Sequence, residues 1–189
     1  NINIDAIFTS YLKRAINTAE IVMEVLGKKI EYTKAWELNE RHYGQLTGLN
    51  KDEMKKKYGE DKIFKFRRSW DSPPDPLSKN NPYHPINIET YKDVPREKLP
   101  DTESLKDTYE RVIKYYFNNI KKKLDKNILV AAHGNSIRAL CKYLFEIDND
   151  EISKLEIPTG NPLLITFSNN KIKHAKYLDS SRAKDLIKF

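Results

Sequence analysis

The segment from residue 128 to residue 136 constrains the fold of this chain more than any other part of its sequence. Residues 128–132 form a continuous apolar run, Ile-Leu-Val-Ala-Ala. Such a run is typical of a strand that is buried on both faces of a parallel sheet. The next four residues, His-Gly-Asn-Ser, lead into a helix predicted over 137–145. Because ligands of open α/β sheets bind at the carboxyl ends of strands, this turn is a candidate binding site.

Hydrophobic spacing predicts the elements around this unit. Apolar residues recur every three to four positions where a helix is expected, and they alternate with polar residues where a strand is expected. Ser10 is the predicted N-cap of the first helix, and Gly27 lies just beyond its end. The predicted elements are strands over 4–8 and 30–38, helices over 11–26, 51–58 and 105–124, a short helix carrying Arg67 and Arg68, and a closing hairpin of 163–167 and 172–177.

The predicted fold class is α/β, a three-layer sandwich with a mostly parallel central sheet, completed by the hairpin, and helices on both faces. At 189 residues the chain fits a single domain, residues 1–189. Seven of its nine prolines lie between Pro73 and Pro100, which excludes a long helix or a central strand there. Residues 72–100 are therefore predicted to form an extended surface insertion, and long insertions often act as lids.

Composition and charge exclude several classes of protein. The sequence has neither a run of about 18 apolar residues nor a signal-peptide pattern, so we expect no membrane span and no secretion. The single cysteine, Cys141, suits a reducing compartment, and the expected location is cytoplasmic. The net charge of +7 arises from 34 basic residues spread among 27 acidic ones, without the dense block that indicates a nucleic-acid partner. A small phosphorylated or carboxylated substrate explains that charge equally well.

Metal chemistry is not expected. The four histidines, at positions 42, 84, 133 and 174, and the one cysteine show no spacing of the zinc type. No phosphate-loop glycine pattern occurs either, which argues against nucleotide hydrolysis of that kind.

Two residues are candidates for catalysis. His133 follows the predicted buried strand beside Gly134, at a helix N-terminus whose free N–H groups attract anions. The alternative is that His133 only caps or packs the turn. Asn135 next to it can donate or accept hydrogen bonds. Glu40 follows a predicted strand end, where partial burial can tune a carboxyl for proton transfer, but a structural ion pair with Arg41 is the alternative there.

Four cationic side chains are candidates for binding an anionic substrate. An arginine can hold a phosphate or a carboxylate by two parallel hydrogen bonds. The alternative is solvated surface charge, which describes most lysines and arginines of the chain. Two of the four are adjacent and point to different faces of a helix, so both reach one ligand only near a helix end. The candidates are Arg14, Lys51, Arg67 and Arg68.

Seven blocks of sequence, in one order along nearly the whole chain, resemble cofactor-dependent phosphoglycerate mutases of the histidine phosphatase superfamily. Generic phosphatases of that superfamily need not share the middle blocks. The blocks are Thr-Ser-Tyr-Leu-Lys-Arg-Ala from Thr9, Leu-Asn-Glu-Arg-His-Tyr-Gly from Leu38, Gly-Leu-Asn-Lys from Gly48, Phe-Arg-Arg-Ser from Phe66, Glu-Ser-Leu-Lys-Asp-Thr from Glu103, Ala-Ala-His-Gly-Asn-Ser from Ala131 and Ile-Pro-Thr-Gly from Ile157.

The resemblance implies interconversion of 3-phosphoglycerate and 2-phosphoglycerate in glycolysis and gluconeogenesis. It implies a phosphohistidine enzyme that is primed by 2,3-bisphosphoglycerate and uses no metal. It also implies a homo-oligomer, dimer or tetramer, that has neither nucleic acid nor membrane as a partner. By position, Glu40 resembles the proton donor and acceptor for the substrate hydroxyl, and His133 the histidine that stabilises the transferring phosphoryl. The implied substrate contacts are Arg14, Tyr43, Lys51, Arg67, Arg68, Gly134 and Asn135.

The sequence also departs from that family. The family's nucleophilic histidine lies in an Arg-His-Gly motif on an N-terminal strand, and these 189 residues lack the motif. Thr47 stands where the family commonly has glutamine, and residues 80–92 differ from the usual loop. The nucleophile is therefore predicted to lie outside these residues. The alternatives are a catalytically dead fragment or paralogue, and a bisphosphoglycerate mutase or phosphatase activity.

Overall fold

Three parallel strands form the central sheet. The computed structural model describes residues 2–29 and 31–183. β1 (Ala6–Thr9) lies in the middle, with β2 (Tyr32–Lys34) on one side and β3 (Ile128–Ala131) on the other. Both pairings are parallel, and Thr9 at the end of β1 lies opposite Lys34 and Ala131. The carboxyl ends of all three strands therefore meet at one end of the sheet.

Helices cover both faces of this sheet. In the described residues the α-helices are α1 (Lys13–Val25), α2 (Lys51–Tyr58), α3 (Glu60–Arg68), α4 (Leu105–Tyr115) and α5 (Gly134–Leu144). None of them is both long and apolar enough to cross a lipid bilayer.

Two successive residues of β1 show how the layers form, because neighbouring side chains of a strand point to opposite faces. Ile7 packs with Ala19 of α1 on one face. Phe8 packs with Tyr115 of α4 on the other, where Leu140 of α5 joins the same cluster. The predicted α/β class, with a parallel sheet between two helical layers, is confirmed.

The start of the first helix differs from the sequence prediction. α1 begins at Lys13 and has Leu12 as its N-cap, so Ser10 is not the cap that the sequence predicted. The Ser10 hydroxyl instead accepts the backbone N–H of Leu12 (3.1 Å), just before the helix, and lies 2.7 Å from the ring of His133, a contact between distant parts of the chain. The predicted stop is correct, since Gly27 follows the helix with a φ of 62° and thus adopts a left-handed conformation that glycine tolerates.

Two other helices also have different bounds. The helix predicted over 105–124 is regular only through Tyr115 and continues as a π turn, Tyr116–Ile120, and a 3-10 turn, Lys121–Lys123. α5 begins at Gly134 instead of residue 137, which makes His133 its N-cap residue. A helix-period pattern shows neither change, because it marks the apolar face of a helix and not its turn type or its terminal residue.

β2 is much shorter than the strand predicted over 30–38, of which Ile30 lies outside the described residues. Pairing with β1 ends when the Ala35 N–H donates to the carbonyl of Thr9 (2.8 Å). The chain then enters a 3-10 turn, Trp36–Leu38, which buries Leu38 among the side chains under α4. After Ala35 the chain therefore leaves the edge of the sheet and buries Leu38 instead of pairing further with β1.

The closing hairpin forms a sheet of its own instead of completing the central one. β4 (Leu163–Ser168) and β5 (Lys171–Tyr177) pair only with each other in the described structure. Asn169 and Asn170 both have positive φ, as a two-residue hairpin turn requires. β3 likewise pairs only with β1 there. Its first three residues are consequently half-buried, which corrects the prediction of a strand buried on both faces.

The proline-rich insertion is a packed loop whose two ends, here called its feet, are joined by hydrogen bonds. Thr102 donates to the carbonyl of Pro74 (2.8 Å), and the Leu77 N–H donates to the carbonyl of Asp101 (2.9 Å). Between these feet the chain makes three 3-10 turns and buries His84 completely. The structure shows no long helix and no strand in 72–100, as the prolines predict, and the assignment of this insertion as a lid on a single domain stays a prediction.

Candidate active site

The site lies at the end of the sheet where β1, β2 and β3 finish. Ser10 directly follows β1, Glu40 follows the turn after β2, and His133 lies two residues after the last residue of β3. The structure thus brings together the two catalytic candidates from segments more than ninety residues apart. Asn135, on the first turn of α5, connects them, because its side-chain amide donates to the carboxylate of Glu40 (3.0 Å).

Both ring nitrogens of His133 have partners. Arg14 Nε donates to Nδ1 (3.1 Å), so Nδ1 carries no proton. The proton of the neutral ring therefore lies on Nε2, which donates to Ser10 Oγ at 2.7 Å. These two bonds fix the tautomer and the plane of the ring.

His133 is kept neutral by its surroundings. Burial disfavours the charged ring and, together with the guanidinium of Arg14, lowers the pKa of His133 to about 4. The nearby carboxylate of Glu40 acts in the opposite direction and does not offset them. At neutral pH the site therefore holds an uncharged imidazole beside a fixed arginine cation.

One oxygen of Glu40 receives several hydrogen bonds. Oε1 accepts from the backbone N–H of Arg41 (2.8 Å) and from both the side chain (3.0 Å) and the backbone (3.3 Å) of Asn135. Among the groups that the structure describes, which do not include the side chain of Lys51, none donates to Oε2. The carboxyl is thus held by one oxygen while the other stays available to exchange a proton.

A buried ion pair frames the loop that carries Glu40. Arg111 donates from Nε and Nη2 to the two carboxylate oxygens of Glu103 (2.7 and 2.9 Å). The same guanidinium donates to the carbonyls of Glu37 (2.5 Å), Asn39 (3.0 Å) and Glu40 (3.4 Å). The side chain of Arg111 therefore fixes the backbone within the turn Trp36–Leu38 and just after it.

Glu103 completes this frame from the opposite side. Its Oε2 accepts the backbone N–H of His42 (2.9 Å). Burial alone raises the pKa of Glu103, but the charge and hydrogen bonds of Arg111 outweigh burial and lower it. The sequence predicted no place in the site for Arg111 or Ser10, because a lone arginine on a helix is usually a surface residue and a serine before a helix is usually its cap.

Tyr43 lies between two arginines. The guanidinium of Arg41 is 4.7 Å from the centre of its ring and that of Arg67 is 5.2 Å away. The Tyr43 hydroxyl accepts from Asn135 (2.8 Å). Arg41 also donates to the carbonyls of Phe66 (2.9 Å) and Arg67 (3.0 Å), so the end of α3 is tied to the Glu40 loop. The alternative of an ion pair between Glu40 and Arg41 does not occur, since the bond between them comes from the Arg41 backbone.

The remaining binding candidates are distributed unevenly. Arg67 and Arg68 are the last residues of α3, but Arg68 points away from Tyr43 and pairs with Glu156 (3.2 Å). Lys51 begins α2, and its side chain lies outside what the structure describes. A Cβ built on Gly134 would meet no atom within 4 Å, so the first turn of α5 is open to a ligand.

The charges and donors of these side chains suit an anion. In the described ranges no three histidine, cysteine, aspartate or glutamate side chains cluster in a way that could hold a metal. An open helix N-terminus beside the guanidinium of Arg14 instead offers N–H donors and positive charge, which is the arrangement that binds phosphate.

Comparison with known proteins gives the class of this chain. The model of the histidine phosphatase superfamily (branch 1) matches residues 1–81 and 78–180. Among solved structures, YhfR of Bacillus stearothermophilus superposes with a TM-score of 0.66 at 19% identity, over 94% of this chain and 74% of the other. A putative alpha-ribazole-5'-P phosphatase from Escherichia coli gives 0.66 at 16% identity, over 98% and 77%. At such identities these two structures support the fold alone.

Closer relatives have one shared name. A protein of Pelagibacter ubique called 2,3-bisphosphoglycerate-dependent phosphoglycerate mutase is 64% identical over 191 aligned residues, which cover 100% of this chain and 80% of the relative. A protein of Maricaulis maris with the same name is 48% identical, over 95% of this chain and 76% of the relative. Within the histidine phosphatase superfamily, the chain belongs to the 2,3-bisphosphoglycerate-dependent phosphoglycerate mutase family.

The lowered pKa values of His42 and His133 predict how stability depends on pH. Burial is the main cause that lowers the pKa of both His42 and His133 from 6.5 to about 4. Between pH 6.5 and 4 the unfolded chain therefore binds more protons than the folded one, so acid favours unfolding. We expect the free energy of unfolding to be highest above pH 6.5 and to fall as the pH drops to 4, measured by urea denaturation.

The variants His42→Gln and His133→Gln isolate each contribution. Each should flatten the decline between pH 6.5 and 4, because a glutamine takes up no proton. A decline identical in the two variants and the unsubstituted chain would contradict this origin of the pH dependence.

Proposed function

We propose that this chain is the larger part of a cytoplasmic, 2,3-bisphosphoglycerate-dependent phosphoglycerate mutase. The enzyme interconverts 3-phosphoglycerate and 2-phosphoglycerate through a phosphohistidine, as a step of glycolysis and gluconeogenesis. The observation that carries the proposal is the 64% identity, over the whole chain, with a relative of that name. The geometry of Glu40, Asn135 and His133 supplies a physical account of the chemistry.

Glu40 is proposed as the group that exchanges a proton with the substrate hydroxyl. Asn135 and the backbone N–H of Arg41 bind Oε1, which orients the carboxyl before substrate arrives. Oε2 then takes a proton from a hydroxyl that attacks a phosphoryl group, and returns it when that oxygen leaves in the reverse step. Proton transfer of this kind contributes roughly 100- to 10,000-fold to a rate.

His133 and Arg14 are proposed to stabilise the phosphoryl group in transit. A phosphoryl in transfer spreads negative charge over its oxygens, so fixed positive charge and N–H donors lower its energy. Arg14 is held against His133 by their shared hydrogen bond, and the open N-terminus of α5 adds backbone donors. Because the neutral ring of His133 has its proton on Nε2, it can donate to a phosphoryl oxygen in place of Ser10.

The binding of 2,3-bisphosphoglycerate, or of either phosphoglycerate, is proposed to use the candidate cations around this centre. Arg14 lies beside His133 and Arg67 beside Tyr43, so each is proposed to hold a different anionic group of one ligand. Arg68 would first have to leave Glu156. Gly134 leaves the helix N-terminus open to the ligand, and Asn135, whose donors already bind Glu40 and Tyr43, is proposed to contact it beside them. Tyr43 and Lys51 are the remaining proposed contacts.

An assay of three reactions tests the proposal. It uses an extended polypeptide, in which a phosphoglycerate mutase Arg-His-Gly segment precedes residue 1 of this chain. Mutase, bisphosphoglycerate synthase and phosphatase rates are compared, each with and without 2,3-bisphosphoglycerate. We expect the mutase rate to exceed the other two and to depend on the bisphosphate. A dominant synthase or phosphatase rate, or no turnover, would overturn it.

Glu40→Gln in the extended polypeptide tests the assigned proton transfer. The glutamine keeps the oxygen that Arg41 and Asn135 bind but cannot exchange the proton. We expect kcat to fall roughly 100- to 10,000-fold with little change in KM.

Glu37→Gln is the matched control, since Glu37 is a half-buried carboxyl three residues earlier. It should leave kcat nearly unchanged. If Glu40→Gln instead raised KM strongly while kcat survived, Glu40 would be a binding residue.

This chain alone is predicted to accept no phosphoryl group on histidine. Both ring nitrogens of His133 are already hydrogen-bonded, and those of His84 bind Asp101 and the Ile86 N–H. Incubation with labelled 2,3-bisphosphoglycerate should therefore leave no acid-labile, base-stable protein phosphate, whereas the extended polypeptide should be labelled. Label mapped to any histidine of residues 1–189 would contradict the prediction.

A further inference from the structure

Helix α5 carries a buried cation that the proposed chemistry does not use. Arg138 is 7% exposed. Burial and then the charge of Arg68 lower its pKa to about 10, which still leaves the guanidinium charged at neutral pH. A buried charge is costly unless hydrogen bonds compensate for it, so the partners of Arg138 indicate what holds it there.

Those partners lie next to the reacting groups. Nη1 of Arg138 donates to Oδ1 of Asn135 at 2.7 Å, and Nε donates to the carbonyl of Leu155 at 2.9 Å. Both bonds are buried. The bond to Asn135 comes from a charged donor, and such bonds are roughly twice as strong as those between neutral groups.

This bond decides which way the amide of Asn135 faces. With Oδ1 bound to Arg138, the NH2 group must point to the opposite side, where it donates to Glu40 Oε1 (3.0 Å) and to the Tyr43 hydroxyl (2.8 Å). A rotation of the amide by half a turn would place Oδ1 against the carboxylate of Glu40 and NH2 against the guanidinium of Arg138. Both new contacts would be repulsive, so the cation locks the amide.

We propose that Arg138 is a positioning residue for the mutase reaction, acting through Asn135 on the carboxyl of Glu40. The inference rests on the proposed function, because Glu40 has its role only there. Arg138 does not touch Glu40 directly. Its removal should therefore disturb the chemical step more than substrate binding, since a group slightly out of place loses rate while the binding cations remain.

The test is a double-mutant cycle in the extended polypeptide with 3-phosphoglycerate as substrate. Arg138→Met keeps the length and apolar stem of the side chain and removes its donors. We expect kcat to fall about 10- to 100-fold, which is the effect of misplacing a reacting group, and KM to change less than about threefold. In an Asn135→Ala background the same substitution should have no further effect, because the residue it acts through is gone.

Two further variants separate positioning from a general loss of structure. Arg138→Lys keeps a cationic donor near Asn135 and should retain most of the kcat that Arg138→Met loses. Lys142→Met removes a cation from the same helix, one turn further on, and should leave kcat unchanged. Effects of Arg138→Met and Asn135→Ala that simply multiply, or no recovery in Arg138→Lys, would overturn the proposal.

A measurement that needs no turnover distinguishes failure of this inference from failure of the proposed function. The side-chain NH2 of Asn135, assigned in ¹⁵N–¹H spectra by its loss in Asn135→Ala, should exchange with solvent slowly in the unsubstituted protein, nearly as slowly in Arg138→Lys and faster in Arg138→Met. Unchanged exchange would overturn the locking of the amide. Absence of mutase turnover with the expected exchange would instead reject the proposed function alone.

Discussion

The buried ion pair between Glu103 and Arg111 is the interaction on which the rest of the site depends. The backbone has no strand partner beyond Ala35, so the carbonyls of Glu37, Asn39 and Glu40 would be unsatisfied without another donor. Arg111 supplies those donors, and Glu103 both neutralises Arg111 and accepts the N–H of His42. Removing one member of such a pair leaves an uncompensated buried charge, which typically costs about 3–5 kcal/mol. Order in the loop therefore depends on a helix that contributes no reacting group.

Inside the site, the positively charged groups and the neutral histidine are different side chains with separate positions. The cations proposed to face the ligand are arginines with fixed charge, whereas the histidine between the strand ends is neutral because it is buried and next to Arg14. A neutral donor beside permanent cations does not change state as substrate enters. The site is therefore arranged before binding, which is the condition under which electrostatic stabilisation is most effective.

The sequence could predict those features that depend on local pattern. The apolar run before His133, the helical spacing of α1 and the paired asparagines of the hairpin each predict an element that the structure contains. Strand-end position made Glu40 and His133 separate candidates, and the structure brings both to the end of the sheet where the parallel strands finish.

Features that depend on tertiary contacts could not be predicted. The Ser10 hydroxyl binds a ring 123 residues away, and nothing in its own segment distinguishes that from capping. Arg111 lies on the same helical stripe as Thr108 and Tyr115, both buried, but a charged residue on a helix is usually solvated. The extent of β3 burial depends on which strands flank it, and a single apolar run carries no information about neighbours.

The joined feet of the proline-rich insertion have a consequence for how such chains diverge. Because Pro74 and Leu77 are bonded to Thr102 and Asp101, the segment between them begins and ends at the same point of the surface. Doubling the length of a flexible loop costs only about 0.6 kcal/mol of closure entropy. Exposed stretches such as residues 95–98 can thus change in length between species without shifting Glu103, whereas Tyr91, whose ring lies 5.7 Å from that of His42, ties the middle of the loop to the site.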